Sequence, residues 1–385
     1  MKKRIAVKIG SAVLGGSEGG DTQSVIAGLV EDVSTLMKRG FEVVIISSGA
    51  VNTGRSAKAL TDPNFDVSTP PKYDTRLLRE QILAAVGQPK LMALYIAEFQ
   101  KHGIDCAQVL TTRTDFADRT RYLSLRYVTE GLLRHHIVPV FNENDVLSPE
   151  ELDFSDNDQL ALMTAAMILA DRLVILTDVA GVYDKSPLEA GAVLISEITD
   201  VSAFLTNFEA GKHKGKGGIK SKLTTAEVVT SLGIPMNIAS GAEKLALTRI
   251  IDGEKLGTSF PATSEKGDPV KSWLVTSAAG EGRQIVVSTY LADILRQEES
   301  PERKSPSILL AGIEEIRGEF EKRDVVEIVD DVGVVLGRGL SRDSSSSLRK
   351  KIPWYLALSD VERAKVRSAD IIAVHANDLA FVRQP

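Results

Sequence analysis

Short, unbroken apolar runs alternate along this chain with longer segments of helical spacing, and no other feature restricts the fold as much. RIAVKIG, FEVVIISSGAV, DCAQVLTT, IVPVFNEND and RLVILTDVAGVYD are continuous and rich in β-branched residues. Between them, SVIAGLVEDVSTLMKRG, QILAAVGQPKLMALYIAEFQKHG, YLSLRYVTEGLLRHH and QLALMTAAMILA place apolar residues three and four apart. Strands that are apolar on both faces need cover on both faces, and strands joined through helices run parallel. The expectation is therefore α/β, with a largely parallel central sheet between helices. Such sheets take ligands beyond the carboxyl ends of their strands. The polar and glycine clusters stand there: Gly10-Ser11, Ser47-Ser48-Gly49, Asn142-Glu143-Asn144-Asp145 and Thr177-Asp178.

The alternation stops near residue 260. Thr61–Thr75, with three prolines and no period, is expected to be a surface loop, and Gly257–Val270 to close the α/β part. Beyond it RQIVVSTYLADIL, SILLAGIEEIRGEF, DVVEIVD and GVVLGRGLS read as short strands of a small β-rich domain. SRDSSSSLRKK reads as a solvated turn. The expected division is 1–263, 271–360 and a C-terminal extension 361–385. At 385 residues there is ample core for this, and 43% hydrophobic with 25% charged residues is ordinary globular composition. A net charge of −6 argues against bulk attraction to nucleic acid or membranes. A single cysteine, Cys106, excludes an internal disulfide, and the five histidines show no metal spacing. Met1–Leu14 is too short, and too soon followed by glycines, to be a signal peptide. No apolar run is read as long enough to span a membrane. The expectation is a cytoplasmic protein.

Lys8 ends the first strand ahead of Gly10-Ser11. A lysine beside exposed turn amides suits a phosphoryl group, although a lysine at a strand end is more often merely solvated. GKHKGKGGIKSK, Gly211–Lys222, carries five lysines among glycines and runs into a helix. It has neither Walker nor dinucleotide-binding spacing, so a phosphate cradle and a solvated loop are equal readings. Asp156-Asn157-Asp158 opens the next helix, where a carboxylate can cap and favour the dipole. Capping explains one acid, Asp156, but not the whole set together with Asn142–Asp145. A cationic ammonium ligand would explain the rest. Ser48, Gly49 and Ala50 offer small residues and amides for a carboxylate, so an amino acid fits both halves. Asp178 ends a strand where it could hold a lysine or Mg²⁺, or cap the next segment.

KIGSAVL, IISSGAV, QILAAVGQPKLM, AQVLTTRTDFADRTRYL, VPVFNENDV, FSDNDQLA, LTDVAGVYDKSP, GKGGIKSKL and NIASG follow one another in an order that resembles the glutamate 5-kinases of the amino acid kinase superfamily. The resemblance covers Lys3 to about Phe260, and the tail is similar in position to a PUA domain. It implies a three-layer α/β sandwich of the amino acid kinase fold with a small β-rich PUA-like domain. It further implies transfer of the ATP γ-phosphoryl group to the side-chain carboxylate of L-glutamate, with Mg²⁺, as the first step of proline biosynthesis. By resemblance Lys8 and Lys222 stabilise the phosphoryl group and Asp178 organises them. Ser48, Gly49, Ala50, Asp145, Asn157 and Asp158 bind glutamate, with Asp145, Asn157 and Asp158 at its amino end. Lys8, Gly10, Thr177, Asp178, Gly215, Lys216, Gly217, Gly218, Ile219 and Lys222 line the nucleotide. No metal-ligating residue is assigned. L-proline is expected as a feedback inhibitor and the chain as a homo-oligomer, without membrane or nucleic-acid partners. The competing readings are a related kinase acting on another small carboxylate, and an RNA-binding protein led by the PUA-like domain.

Overall fold

A computed structural model describes residues 2–15, 21–55, 75–147, 157–210, 218–265, 267–277, 282–296 and 306–381. The proposed loop at 61–74, Asp156, and Gly215, Lys216 and Gly217 lie outside them. The chain forms two units, Met1–Thr112 with Leu125–Lys266, and Arg113–Ser124 with Gly267–Pro385.

In chain order the elements up to residue 260 are β1 (Arg4–Ile9), α1 (Ser11–Gly15), α2 (Thr22–Lys38), β2 (Glu42–Ile46), α3 (Ala50–Gly54), α4 (Thr75–Lys101), β3 (Cys106–Thr111), α5 (Arg113–Ala117), α6 (Arg119–Arg134), β4 (Val138–Glu143), α7 (Asp158–Met167), β5 (Arg172–Thr177), α8 (Val201–Ala210), α9 (Gly218–Ser231), β6 (Met236–Ser240), α10 (Ala246–Ile251) and β7 (Thr258–Phe260). They build a seven-stranded sheet in the order β3-β4-β2-β1-β5-β6-β7. All its pairings are parallel except β6 with β7. The segment expected only to close the α/β part thus supplies an antiparallel edge strand. Its brevity and single alternation give too little pattern to read as one.

The continuous apolar runs are strands buried on both faces. Along β1, Ile5, Val7 and Ile9 enter one core with Val33 of α2, Tyr95 and Phe99 of α4, and Leu247 of α10. Strand alternation sends Ala6 and Lys8 to the opposite face, where α7 lies against β1 and β5. Every side chain of α7 except Gln159 is buried, which matches its nearly uninterrupted apolar sequence. In α4, Arg76–Lys101 is long and apolar enough to cross a membrane by length and composition alone, contrary to the sequence expectation. Its Leu91, Tyr95 and Phe99, four residues apart, are buried in the core just described, so it serves here as a core helix.

The second unit continues with α11 (Pro269–Thr276), β8 (Gln284–Val287), α12 (Thr289–Arg296), β9 (Ile308–Leu309), β10 (Ile313–Arg317), β11 (Val325–Val329), β12 (Val335–Ser341), α13 (Ser345–Ala357), α14 (Asp360–Arg363) and β13 (Ile372–Phe381). Its six strands run β10-β8-β11-β12-β13-β9. Only β8 and β11 are parallel. The serine-rich stretch expected as a solvated turn starts α13 instead, with Ser344 accepting from the Ser347 N–H at 3.3 Å as its cap. Half of RQIVVSTYLADIL is likewise helical, as α12. The segment 361–385 contributes β13, paired on both sides. In the same unit Phe116, Tyr122 and Trp273 are all buried. The Trp273 indole N–H donates to Phe116 O at 2.7 Å, and the Tyr122 and Trp273 rings lie 5.3 Å apart.

Candidate active site

The carboxyl ends of β1, β2, β4 and β5 bring most of the sequence-derived candidates to one edge of the first sheet. Lys8 sits near the end of β1, only 1% exposed. Its ammonium lies 2.8 Å from Asp158 Oδ1, and the ammonium of Lys222 on α9 lies 3.1 Å from Asp158 Oδ2. Lys222 also donates to Gly218 O, one turn earlier, at 3.2 Å. Asp158 is the first residue of α7 and fully buried, a position where the helix dipole favours its charge.

This arrangement changes two expected roles. Asp158, assigned to the amino end of a substrate, has each oxygen turned to a lysine. Asp178, assigned to organise the lysines, is exposed and accepts from the Thr177 hydroxyl at 3.0 Å. Acids at the ends of elements look alike in sequence, and the reach of two lysines from separate elements decides between Asp158 and Asp178. One buried carboxylate thus fixes two buried ammonium groups where the dielectric is low and charges act strongly. Such a centre attracts an anion with developing charge. Gly10 turns at the same edge, its N–H donating to Leu176 O at 3.0 Å. Gly218 and Ile219 start α9, directly before the turn that carries Lys222.

A second group is built from amides. Asn157 Nδ2 donates to Ser47 O at 2.6 Å and to Asn142 Oδ1 at 2.9 Å. Because Ser47 O can only accept, the amide orientation is fixed and Asn157 Oδ1 remains as an acceptor. Asn142 Oδ1 also accepts from Glu143 N, and Asn142 Nδ2 donates to Gln88 Oε1 at 2.7 Å. Gln88 in turn donates to Gln108 at 3.3 Å. Ser47 Oγ and the buried Tyr95 hydroxyl are 3.0 Å apart. Burial pushes the Tyr95 phenol far up, so it stays protonated. Gln88 was not singled out from the sequence. The glycine before it, inside an otherwise good helix, is the signal that could have marked it.

Ser48, Gly49 and Ala50 form the turn from β2 into α3, with Gly49 at φ +96. α3 rides directly on α4. A Cβ at Gly87 would stand 1.8 Å from Ala50 O, and one at Gly54 would stand 2.0 Å from Leu83 O. The crossing needs both glycines, and it holds the Ser48–Ala50 turn beside Gln88. Asp145 lines a cavity of about 270 Å³ with Gln88, Gln108, Glu143 and Asn144. That cavity does not reach Lys8, Asp158 or Lys222, so the reacting centre follows from the side-chain geometry instead. Cys106 is only half-buried, but burial and the nearby Asp105 push its thiol up to about 11, which leaves little thiolate for nucleophilic chemistry.

The profile of the amino acid kinase family matches residues 3–240, and that of the PUA domain matches residues 301–352. The chain is 36% identical to a glutamate 5-kinase of Deinococcus radiodurans over 98% of its own length and 100% of that protein. It is 35% identical to glutamate 5-kinases of Syntrophus aciditrophicus and Meiothermus ruber, over 99% and 97% of its length and 95% and 92% of theirs. Among solved structures, carbamate kinase from Giardia lamblia bound to AMP-PNP superposes with a TM-score of 0.50 at 15% identity. The match covers 68% of this chain and 98% of that one.

Proposed function

Since this chain belongs to the glutamate 5-kinase family, its reaction is the ATP-dependent phosphorylation of the side-chain carboxylate of L-glutamate, which leads into proline biosynthesis, and we propose that Lys8, Asp158 and Lys222 carry the phosphoryl transfer. The observation behind this assignment is the buried carboxylate bridging two buried lysines at the carboxyl edge of the sheet.

The acceptor is an anion already. A glutamate side chain ionises near 4.3, so no base is needed to remove a proton. A carboxylate oxygen attacks the γ-phosphorus, the bond to the β,γ-bridging oxygen breaks, and ADP leaves with that electron pair. The obstacle is repulsion between two anions. Lys8 and Lys222 answer it with positive charge fixed in place before the reaction, and Asp158 holds both at the required spacing. The N–H groups at the start of α9 and the Gly10 turn at the end of β1 support a nucleotide position there, with Thr177 and Asp178 beside it. Gly215, Lys216 and Gly217 stay in this proposal on the sequence alone. Mg²⁺ enters as the ATP complex. Among the described residues no three acids or histidines converge on a metal position.

For glutamate, the Ser48–Ala50 turn offers the hydroxyl and amides for the α-carboxylate, and Asp145 with Asn157 Oδ1 faces the α-ammonium. Asp158 is withdrawn from that group. L-proline is proposed to compete there. A homo-oligomer is proposed through the open β3 edge, where Leu110 is exposed; a single-chain mass by light scattering would refute it. The cytoplasm is the proposed compartment. The full-length similarity to glutamate 5-kinases does not favour the RNA-binding alternative.

The test is ATP turnover with a panel of L-amino acids, trapping acyl phosphate with hydroxylamine. Hydroxamate is expected with L-glutamate alone, and added L-proline should raise the apparent glutamate KM. Equal turnover with aspartate would overturn the substrate assignment.

A further inference from the structure

The second unit has a cavity of about 360 Å³, lined by Lys322, Arg323, Ser341, Arg342, His375 and Asp378. Two irregularities of the backbone build it. The first is the four-residue turn Glu321–Asp324, closed by the Asp324 N–H donating to Glu321 O at 3.1 Å. Arg323, its third residue, has φ +75. Turns of that form favour glycine at this place, and a long side chain held there is strained. The second is in β13. Gly339 of β12 stands opposite Leu379, but Ser341 stands opposite Val374. Residues 375–378 therefore bulge out of the ladder and bring His375 and Asp378 to the cavity. Bulges of this kind re-aim side chains beside functional sites.

The charges at the cavity are also unlike their surroundings. Every other described arginine of 267–381 lies within 4 Å of a carboxylate oxygen. Lys322, Arg323 and Arg342 form no ion pair with any described residue. Three cations against Asp378 leave an excess of two positive charges. His375 accepts the Asn377 N–H at Nδ1, 3.1 Å away, so its proton sits on Nε2 as a further donor.

We propose that this cavity binds a small phosphate-bearing anion of about two negative charges, held by Lys322, Arg323 and Arg342. A compact cavity with one acid, and with no Phe, Tyr or Trp in its lining, fits such an anion better than a nucleic-acid strand, which calls for a basic groove with several aromatic platforms. The site is separate from the phosphoryl site of the first unit and does not rest on the roles assigned there.

The experiment titrates inorganic pyrophosphate calorimetrically into the full chain, with AMP-PNP and L-glutamate in excess to occupy the first unit. One binding event is expected to remain. Arg342→Gln and Arg323→Gly should each weaken it at least tenfold, the usual loss for one charge-assisted contact. Glutamate kinase turnover without pyrophosphate should stay unchanged in both. Arg323→Gly suits the turn, so loss of binding there cannot be put down to misfolding. No residual binding, or binding untouched by either substitution, would overturn the proposal. So would a single-stranded oligoribonucleotide binding through the same two arginines while pyrophosphate is ignored.

Discussion

Asp158 touches both lysines, and its removal separates the roles of the charged groups. Asp158→Asn would leave two buried ammonium groups without their anion. The usual cost is about 3–5 kcal/mol, so the melting temperature and kcat should fall together. Asp178→Asn changes an exposed group and should leave stability nearly untouched. Lys222→Ala should lower kcat by roughly a hundredfold or more, the scale of a lost electrostatic donor, while glutamate binding without turnover survives. Asp145→Ala should raise the glutamate KM at least tenfold, since a contact to the ammonium exists in ground and transition states alike, with little change for ATP. Steady-state kinetics with thermal melts on the four variants would check this set. A stable, fully active Asp158→Asn would remove the bridging role. Which residue types serve the site was legible in the sequence: lysines at strand and helix ends, amides and acids after β4. Which acid meets which cation was not, because Asp158 and Asp178 both stand at element ends and only side-chain reach across β1, α7 and α9 separates them.

Between elements, the crossing of α3 on α4 ties stability to substrate geometry. Gly87→Ala forces a methyl into the Ala50 carbonyl. Overpacking of this kind costs about 1–3 kcal/mol, and relief requires α3 to lift, carrying Ser48–Ala50 with it. The expected outcome is a lower melting temperature and a raised glutamate KM, with ATP affinity less affected. Gly28→Ala in α2 is the control: a Cβ there meets nothing within 4 Å, and the gain in helix propensity should stabilise by up to about 1 kcal/mol. A Gly87→Ala enzyme with unaltered glutamate KM would show that the turn does not depend on the crossing. The parallel sheet was readable because β1, β2, β4 and β5 each carry a run of three or more consecutive apolar residues with no polar-apolar alternation. α12 and α13 were not, since Thr289–Arg296 is short and Ser344–Ser347 reads as turn chemistry until its first hydroxyl is seen to cap.

For the whole molecule, the first unit runs to Lys266 and Arg113–Ser124 belongs with the second. A chain ending at Thr263 would lack Trp273 and uncover Phe116 and Tyr122. We therefore expect it to be less soluble and to melt lower than the full chain, and the doubly substituted Phe116→Ser, Tyr122→Ser fragment to recover solubility. A truncated chain as soluble and active as the parent would mean that the Trp273 contacts are dispensable.

That shared aromatic cluster also sets an order of events during synthesis. Phe116 and Tyr122 leave the ribosome about 150 residues before Trp273. At roughly 5–20 residues per second, two large aromatic rings wait on the order of ten seconds or more for their cover. Throughout that interval the nascent chain carries a sticky patch on α5 and α6, the helices that lie between β3 and β4 in sequence.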